Sequence, residues 1–128
     1  MTILKSAPVG VTTTGSAGSA AANADSVSFV GEIVGLYLDY HASAPNTTDV
    51  VVKDKRTGVE ILRINNANTD VYKAPRIVAV DAANANILSS EVNGLWPQPY
   101  VVDQGVNVDV AGANALTNCV VATVIYRK

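Results

Sequence analysis

Two residue types that supply much of metal and nucleophile chemistry are almost missing from this chain, which has one histidine, His41, and one cysteine, Cys119. A single histidine excludes a His-based metal cluster, and a single cysteine excludes both a paired-Cys zinc site and an intrachain disulfide. Cys119 lies in "NCVVATVIY", where a free cysteine behaves as a small buried hydrophobe and leaves the redox compartment unread. Aromatics are scarce as well, at 5% beside a hydrophobic fraction of 48%. The core must therefore rest on Val, Ile, Leu and Ala, a palette rich in β-branched side chains that fits pleated sheets. Charge is sparse and nearly balanced, with a net of -2, which argues against a nucleic-acid groove or a patch for anionic membranes. No stretch approaches the ~18 apolar residues of a membrane span. The opening "MTILKSAPVG" lacks the basic start and apolar run of a signal peptide, so "NTT" at 46–48, a glycosylation sequon by pattern, reads as a turn. No G-x-S-x-G, P-loop or G-x-G-x-x-G pattern occurs.

What is there reads as one domain of short strands, able to bury roughly 65% of its unfolded surface. Residues 1–24 differ from the rest. "SAPVGVTTTGSAGSAAANAD" holds few large side chains, and such a segment cannot offset its ordering entropy alone. Two readings are open: a floppy terminus, or an extended arm that orders on a partner, with "VGVTTT" adding a strand to a neighbour's edge. The expected division is 1–24 as arm and 25–128 as the β domain. From Ser26, "SVSFVGEIVGLYLDYH" presents apolar residues on both alternating rows, as a long central strand does. Gly31 and Gly35 count against a helix at about 1 kcal/mol each and suggest a bend or a close backbone approach. "DVVVKD", the turn "KRTG" and "VEILRI" form a hairpin closed by Gly58. "VYKAPRIVAVDA" is a strand broken at Pro75, and "ANANILSSEVNG" leaves room for one short helical turn. "PYVVD", "QG" and "VNVDVAG" read as a second hairpin with Val106, Val108 and Val110 on one face. "CVVATVIYRK" is a closing strand. Seven or so strands spaced by turns predict an all-β fold, an antiparallel β-sandwich of jelly-roll type.

Candidate chemistry is thin. Asp39, His41 and Asp49 stand around the corner "HASAPNTTD", but Asp39 and His41 are two apart on a strand and share a face, where a surface ion pair is the simpler reading. Pro45 and Asn46 turn the chain there, Asp49 caps the turn, and Lys55 and Arg56 occupy a solvated tip. "NNANTD" and "DAANAN" carry too few carboxylates to hold calcium. The expectation is no catalytic residue, no metal and no cofactor. "NGLWPQPY" places Leu95, Trp96 and Tyr100 in a Pro-flanked segment, as a plug at the domain's end or as a surface anchor for a binding partner such as a sugar.

The stretches "GEIVGLYLDYHASAPNTTDVVV", "GVEILRINNANTDVYKAPRIVAVDAA" and "PYVVDQGVNVDVAGANALTNCVVATVIY" together resemble a family of small structural proteins of tailed bacteriophages. The match lies in order and spacing over about residues 31–126: a strand ending Asp-Tyr-His, a Ser-Ala-Pro corner running into Thr-Thr-Asp-Val, an Asn-Thr-Asp loop before Pro-Arg, and a late Val-rich hairpin. The resemblance implies a virion protein, a capsid decoration (cement) protein on the outer head surface, made in the host cytoplasm. It also implies a homotrimer clamping neighbouring subunits of the major capsid protein. On that reading Ile3, Leu4, Val9 and Val11 of the arm are apolar anchors on the coat, with no nucleic acid or membrane involved. A head–tail connector, or a tail or surface module binding a receptor or glycan, is the alternative.

Overall fold

The computed structural model describes residues 3–85, 88–89, 94–95 and 97–128, with backbone alone at 88–89 and 94–95. Thirteen strands and no helix occur among the described residues. In chain order they are β1 (Leu4–Val11), β2 (Ala20–Asp25), β3 (Gly31–Tyr40), β4 (Asp49–Asp54), β5 (Glu60–Ile64), β6 (Val71–Lys73) and β7 (Arg76–Val78). Then follow β8 (Leu88–Ser89), β9 (Gly94–Leu95), β10 (Pro97–Pro99), β11 (Val101–Val102), β12 (Val106–Ala113) and β13 (Val120–Arg127). One sheet runs β1-β13-β3-β11, with β6 also on β3; a second runs β2-β12-β4-β5; β7 with β10 and β8 with β9 make two small ribbons. Every pairing between these strands is antiparallel. The expectation of an all-β antiparallel protein is borne out.

The period-2 rule explains which side chains go inside. In the first sheet the rows Ala7–Val124–Leu36, Val9–Ala122–Leu38 and Val11–Val120–Tyr40 are in register and buried. In the second, Val108 and Val110 lie between Val52 and Val50 on one side and Ala24 and Ala22 on the other. These rows belong to a single apolar cluster. Phe29 stacks on Tyr126 at one end, ring centroids 4.0 Å apart.

Several expectations hold in detail. The β4–β5 hairpin turns at Gly58, φ 75°. Pro75 separates β6 from β7, Cys119 is buried, and β3 is central, with β13 on one side and β6 and β11 on the other. The two glycines of β3 do mark close approaches. A Cβ on Gly31 would meet the Arg127 carbonyl, and one on Gly35 would meet the Tyr72 hydroxyl and ring.

Three expectations are corrected. Residues 1–24 are not an arm separate from the domain. β1 pairs with β13 over eight positions, β2 pairs with β12 through Ala20, Ala22 and Ala24, and the 24/25 boundary falls inside β2. Low hydrophobicity misleads here because alternation spends only every second residue on the core, and those residues are small: Ala7, Val9, Val11 and Ala20 are at most 3% exposed. The second hairpin does not form either. Gly105 turns the chain at φ 82°, but its N–H donates to the Phe29 carbonyl, so β11 stays on β3 while β12 crosses to the other sheet. Within 83–94, Leu88–Ser89 and Gly94–Leu95 pair as strands where a helical turn was expected; 86–87 and 90–93 lie outside the described residues.

Two measurements follow from this packing. Deleting residues 1–24 removes β1 and most of β2, uncovering Val124 and Val110, and abolishes cooperative thermal unfolding by circular dichroism. Gly31→Ala lowers the urea-derived stability by about 1–3 kcal/mol, since a backbone carbonyl must move. Gly35→Ala costs less, because the exposed tip of Tyr72 can swing aside.

Candidate functional site

The corner between β3 and β4 is tied together mainly by its own polar groups. The Ala44 N–H donates to the His41 carbonyl at 2.9 Å, and the Thr48 hydroxyl donates to the Pro45 carbonyl at 2.7 Å. Thr48 is fully buried, and its carbonyl receives the Ala67 N–H at 3.0 Å. The Asn68 amide donates to the Ala44 carbonyl at 2.9 Å, and the Thr47 hydroxyl reaches the Gly112 carbonyl at 2.7 Å. Buried polar groups thus find partners across the loops, as a rigid corner requires.

His41 and Asp49 are held apart in purpose. His41 is exposed; its Nδ1 accepts the Ser43 N–H at 3.0 Å and its N–H donates to the Cys119 carbonyl at 2.8 Å. Asp49 Oδ1 accepts the Asn66 N–H at 2.9 Å, so it braces the 65–70 loop where capping of the 45–48 turn was expected. Among the described residues no hydrogen bond or ion pair joins His41 to Asp39 or Asp49. No group of three His, Cys, Asp or Glu side chains is gathered as metal ligands would be among the described residues. The Lys55 and Arg56 tip is not free: Lys55 lies 3.5 Å from Asp25, and Arg56 pairs with Asp103.

Sequence reasoning missed Asp70, which holds the end of β3. Its Oδ1 accepts the Tyr40 N–H at 2.7 Å, and the Tyr37 hydroxyl donates to Oδ2 at 3.5 Å. The Asp70 charge pushes the Tyr37 phenol above its ordinary value. Only the Asn/Asp richness of "NNANTD" signalled a bracing role. Arg76 caps the β3 irregularity, both terminal nitrogens donating to the Val34 carbonyl at 3.2 Å.

Of the proposed anchors, Ile3 and Leu4 are 53% and 60% exposed, but Val9 and Val11 lie in the core and are not available to a partner. Tyr100 is half-buried against the core, and its carbonyl accepts the Ile33 N–H at 2.8 Å. Trp96 and the Leu95 side chain lie outside the described residues. Tyr100 lines a cleft of about 300 Å³ with Val59, Ile61, Ile77, Pro99 and Val101. A second cleft, about 460 Å³, lies between β5 and β6, where Arg63, Ile64, Ala67, Asp70, Val71 and Lys73 face it. Both are shallow; the first is walled mainly by apolar side chains, whereas Arg63, Thr69, Asp70 and Lys73 bring polar groups to the second.

The fold and these sites define an all-β protein of two antiparallel sheets whose polar loops brace one another. The chain matches no protein-family model, no curated protein and no solved structure.

Tyr40 gives the clearest pH signature. Its ring is buried, its hydroxyl is the one buried side-chain polar atom without a hydrogen-bond partner among the described residues, and burial, with Asp70 and Asp49 adding to it, pushes the phenol up to about 12. An unfolded tyrosine titrates near 10. The folded state therefore holds this proton more tightly, and the associated stability, about 2–3 kcal/mol, is present below pH 10 and lost as pH rises toward 12. Tyr40→Phe is expected to leave stability at pH 7 unchanged or raise it by up to about 1 kcal/mol, since an unpaired buried hydroxyl is removed. It also moves the alkaline unfolding midpoint upward in urea titrations between neutral and strongly basic pH.

Proposed function

We propose that this chain is a non-enzymatic structural protein of a tailed-phage virion, a capsid decoration protein that binds the outer head surface and bridges major capsid protein subunits. The observation that carries the reading is the strand order. The orders β1-β13-β3-β11 and β2-β12-β4-β5, with β1 to β4 passing alternately between the sheets and β12 to β13 doing so again, follow the eight-stranded double-sheet roll. That supports a jelly-roll sandwich, an architecture that recurs in viral capsid and lectin domains. A fold is compatible with many functions, so the resemblance described above supplies the direction and the strand order supports it. The homotrimer belongs to the same proposal, since joined protomers gain avidity from repeated coat sites by ~10² or more.

A second reading has its own observation. The Tyr100 cleft, walled by Ile77, Pro99 and Val101, offers a shallow apolar bed of the kind on which a sugar ring or a receptor loop rests. In that case the chain serves as a receptor- or glycan-binding module, or as a tail component.

Copy number separates the two. Quantitative mass spectrometry of purified particles that carry the protein is expected to count hundreds of copies, lost together with head stability when the gene is removed. A complement of about six or twelve, as ring symmetry at a vertex or tail would give, defeats the decoration reading. Glycan binding abolished by Tyr100→Ala supports the second one.

A further inference from the structure

A strand at the border of a sheet leaves half of its backbone donors and acceptors unpaired, open to any extended chain. β1 is the longest such strand among the described residues, eight residues at the end of the order β1-β13-β3-β11. In an antiparallel strand, successive residues direct their N–H and C=O alternately to the two sides. Two hydrogen bonds fix which residues of β1 look away from β13. The Lys128 N–H donates to the Ile3 carbonyl at 3.4 Å, one step beyond the Leu4–Arg127 pair, so residues 3, 5, 7, 9 and 11 address β13. From the other side, the His41 N–H donates to the Cys119 carbonyl at 2.8 Å, so odd-numbered residues of β13 address β3. Its even-numbered residues, Val120, Ala122, Val124 and Tyr126, therefore address β1, and they are the partners of Val11, Val9, Ala7 and Lys5. Both routes agree. Leu4, Ser6, Pro8 and Gly10 point their backbone groups to the free rim.

Pro8 thus stands where a missing N–H costs the sheet no hydrogen bond and where a newcomer would need one. Its ring takes the place of the rim's central donor and blocks the approach of a partner carbonyl. The other borders are interrupted by different means. At the start of β2, Ala21 exchanges both backbone bonds with Thr14, at 3.0 and 3.3 Å. On β5 the register slips between Leu62 and Glu60, leaving Ile61 as a bulge, and the Glu60 and Arg63 side chains pair. β6 and β11 have three and two residues, too short to template a strand. Without Pro8, β1 would be the one long rim open along its length among the described residues.

We propose that Pro8 is an edge guard, placed so that no second strand, from another copy or from a different protein, pairs with β1. Partners are then left the faces and loops of the molecule. The inference concerns the rim of β1 alone. It stands apart from the function proposed above and from the number of copies in any assembly.

Restoring the donor tests it. Pro8→Thr returns an N–H to the rim without touching an inward row, because the Pro8 side chain is exposed. Sedimentation of the full chain from about 1 µM to about 1 mM is expected to show Pro8→Thr assembling further than wild type. The average mass at the upper end is roughly doubled or more, as strand addition at an opened edge requires. Hydrogen exchange at the Leu4, Ser6 and Gly10 amides slows by roughly tenfold or more as that variant assembles. Adding Ser6→Pro to Pro8→Thr closes the rim again, since Ser6 points the same way, and returns the mass to the wild-type value. A Pro8→Thr chain that sediments like wild type throughout, or a double variant that still assembles, overturns the proposal. If either variant fails to unfold cooperatively in urea, wild type decides the matter by itself. Its Ser6 amide is expected to exchange fast, and those of Ala7 and Val9 slowly. A Ser6 amide as protected as that of Val9 means that the rim is already occupied, and the proposal falls.

Discussion

The fold depends on strict alternation of small apolar residues along its strands. β12 and β13 run through the middle of their sheets, and Val106, Val108, Val110, Val120, Ala122 and Val124 are fully buried. With few aromatics, most of the interior is filled by short β-branched side chains, and Phe29, Tyr40 and Tyr126 supply its buried rings. Packing at crystal-like density leaves little tolerance. Each strand therefore has to present its apolar residues in strict alternation, because a slip of one position would turn a whole row outward. Every other element is arranged around that demand.

The N-terminal strands illustrate it. They attach at the flank, β1 to β13 and β2 to β12, and adjoin where Thr14 bridges Ala21. Alanine at 20, 22 and 24 supplies small groups along this side. A composition that looks like low complexity is thus a packing solution for a crowded flank. Hydrophobic content averaged over a segment cannot register it; only alternation in phase with a neighbouring strand does, and that neighbour lies far along the chain, Val110 opposite Ala22 and Ala122 opposite Val9.

Local signals were legible and long-range ones were not. The Gly58 turn, the break at Pro75, the centrality of β3 and the burial of Cys119 each follow from one residue's stereochemistry or from a short periodic run. The destination of β11 and β12 does not: "VVDQGVNV" has a hairpin's punctuation, yet the Gly105 N–H goes to Phe29 and sends the strands to different sheets. The candidate corner was read similarly. Its turn residues were evident from Pro45 and Asn46. That Asp49 and Asp70 brace backbone N–H groups of other segments depends on how the 65–70 loop folds over β3 and β4.

The same alternation that builds the core also divides the surface, since the residue after each inward valine faces out and is free to vary. On one sheet those positions carry opposed charges whose side chains are about one-third to one-half exposed. Ion pairs so exposed contribute little to stability, so their concentration on one face is better understood as keeping that face wet. The other sheet spends the same positions on Pro, Thr, Ile, Tyr and Gly. Charged groups reach this uncharged band only from its margins, where Asp70 accepts from the Tyr37 hydroxyl at 3.5 Å and Arg76 donates to the Val34 carbonyl at 3.2 Å. Most of these outward sites could change without disturbing an inward row, Gly35 excepted, because the Tyr72 ring lies where its Cβ would stand. Core packing thus fixes the inward half of each strand and leaves the chemistry of most outward positions to be set independently of it.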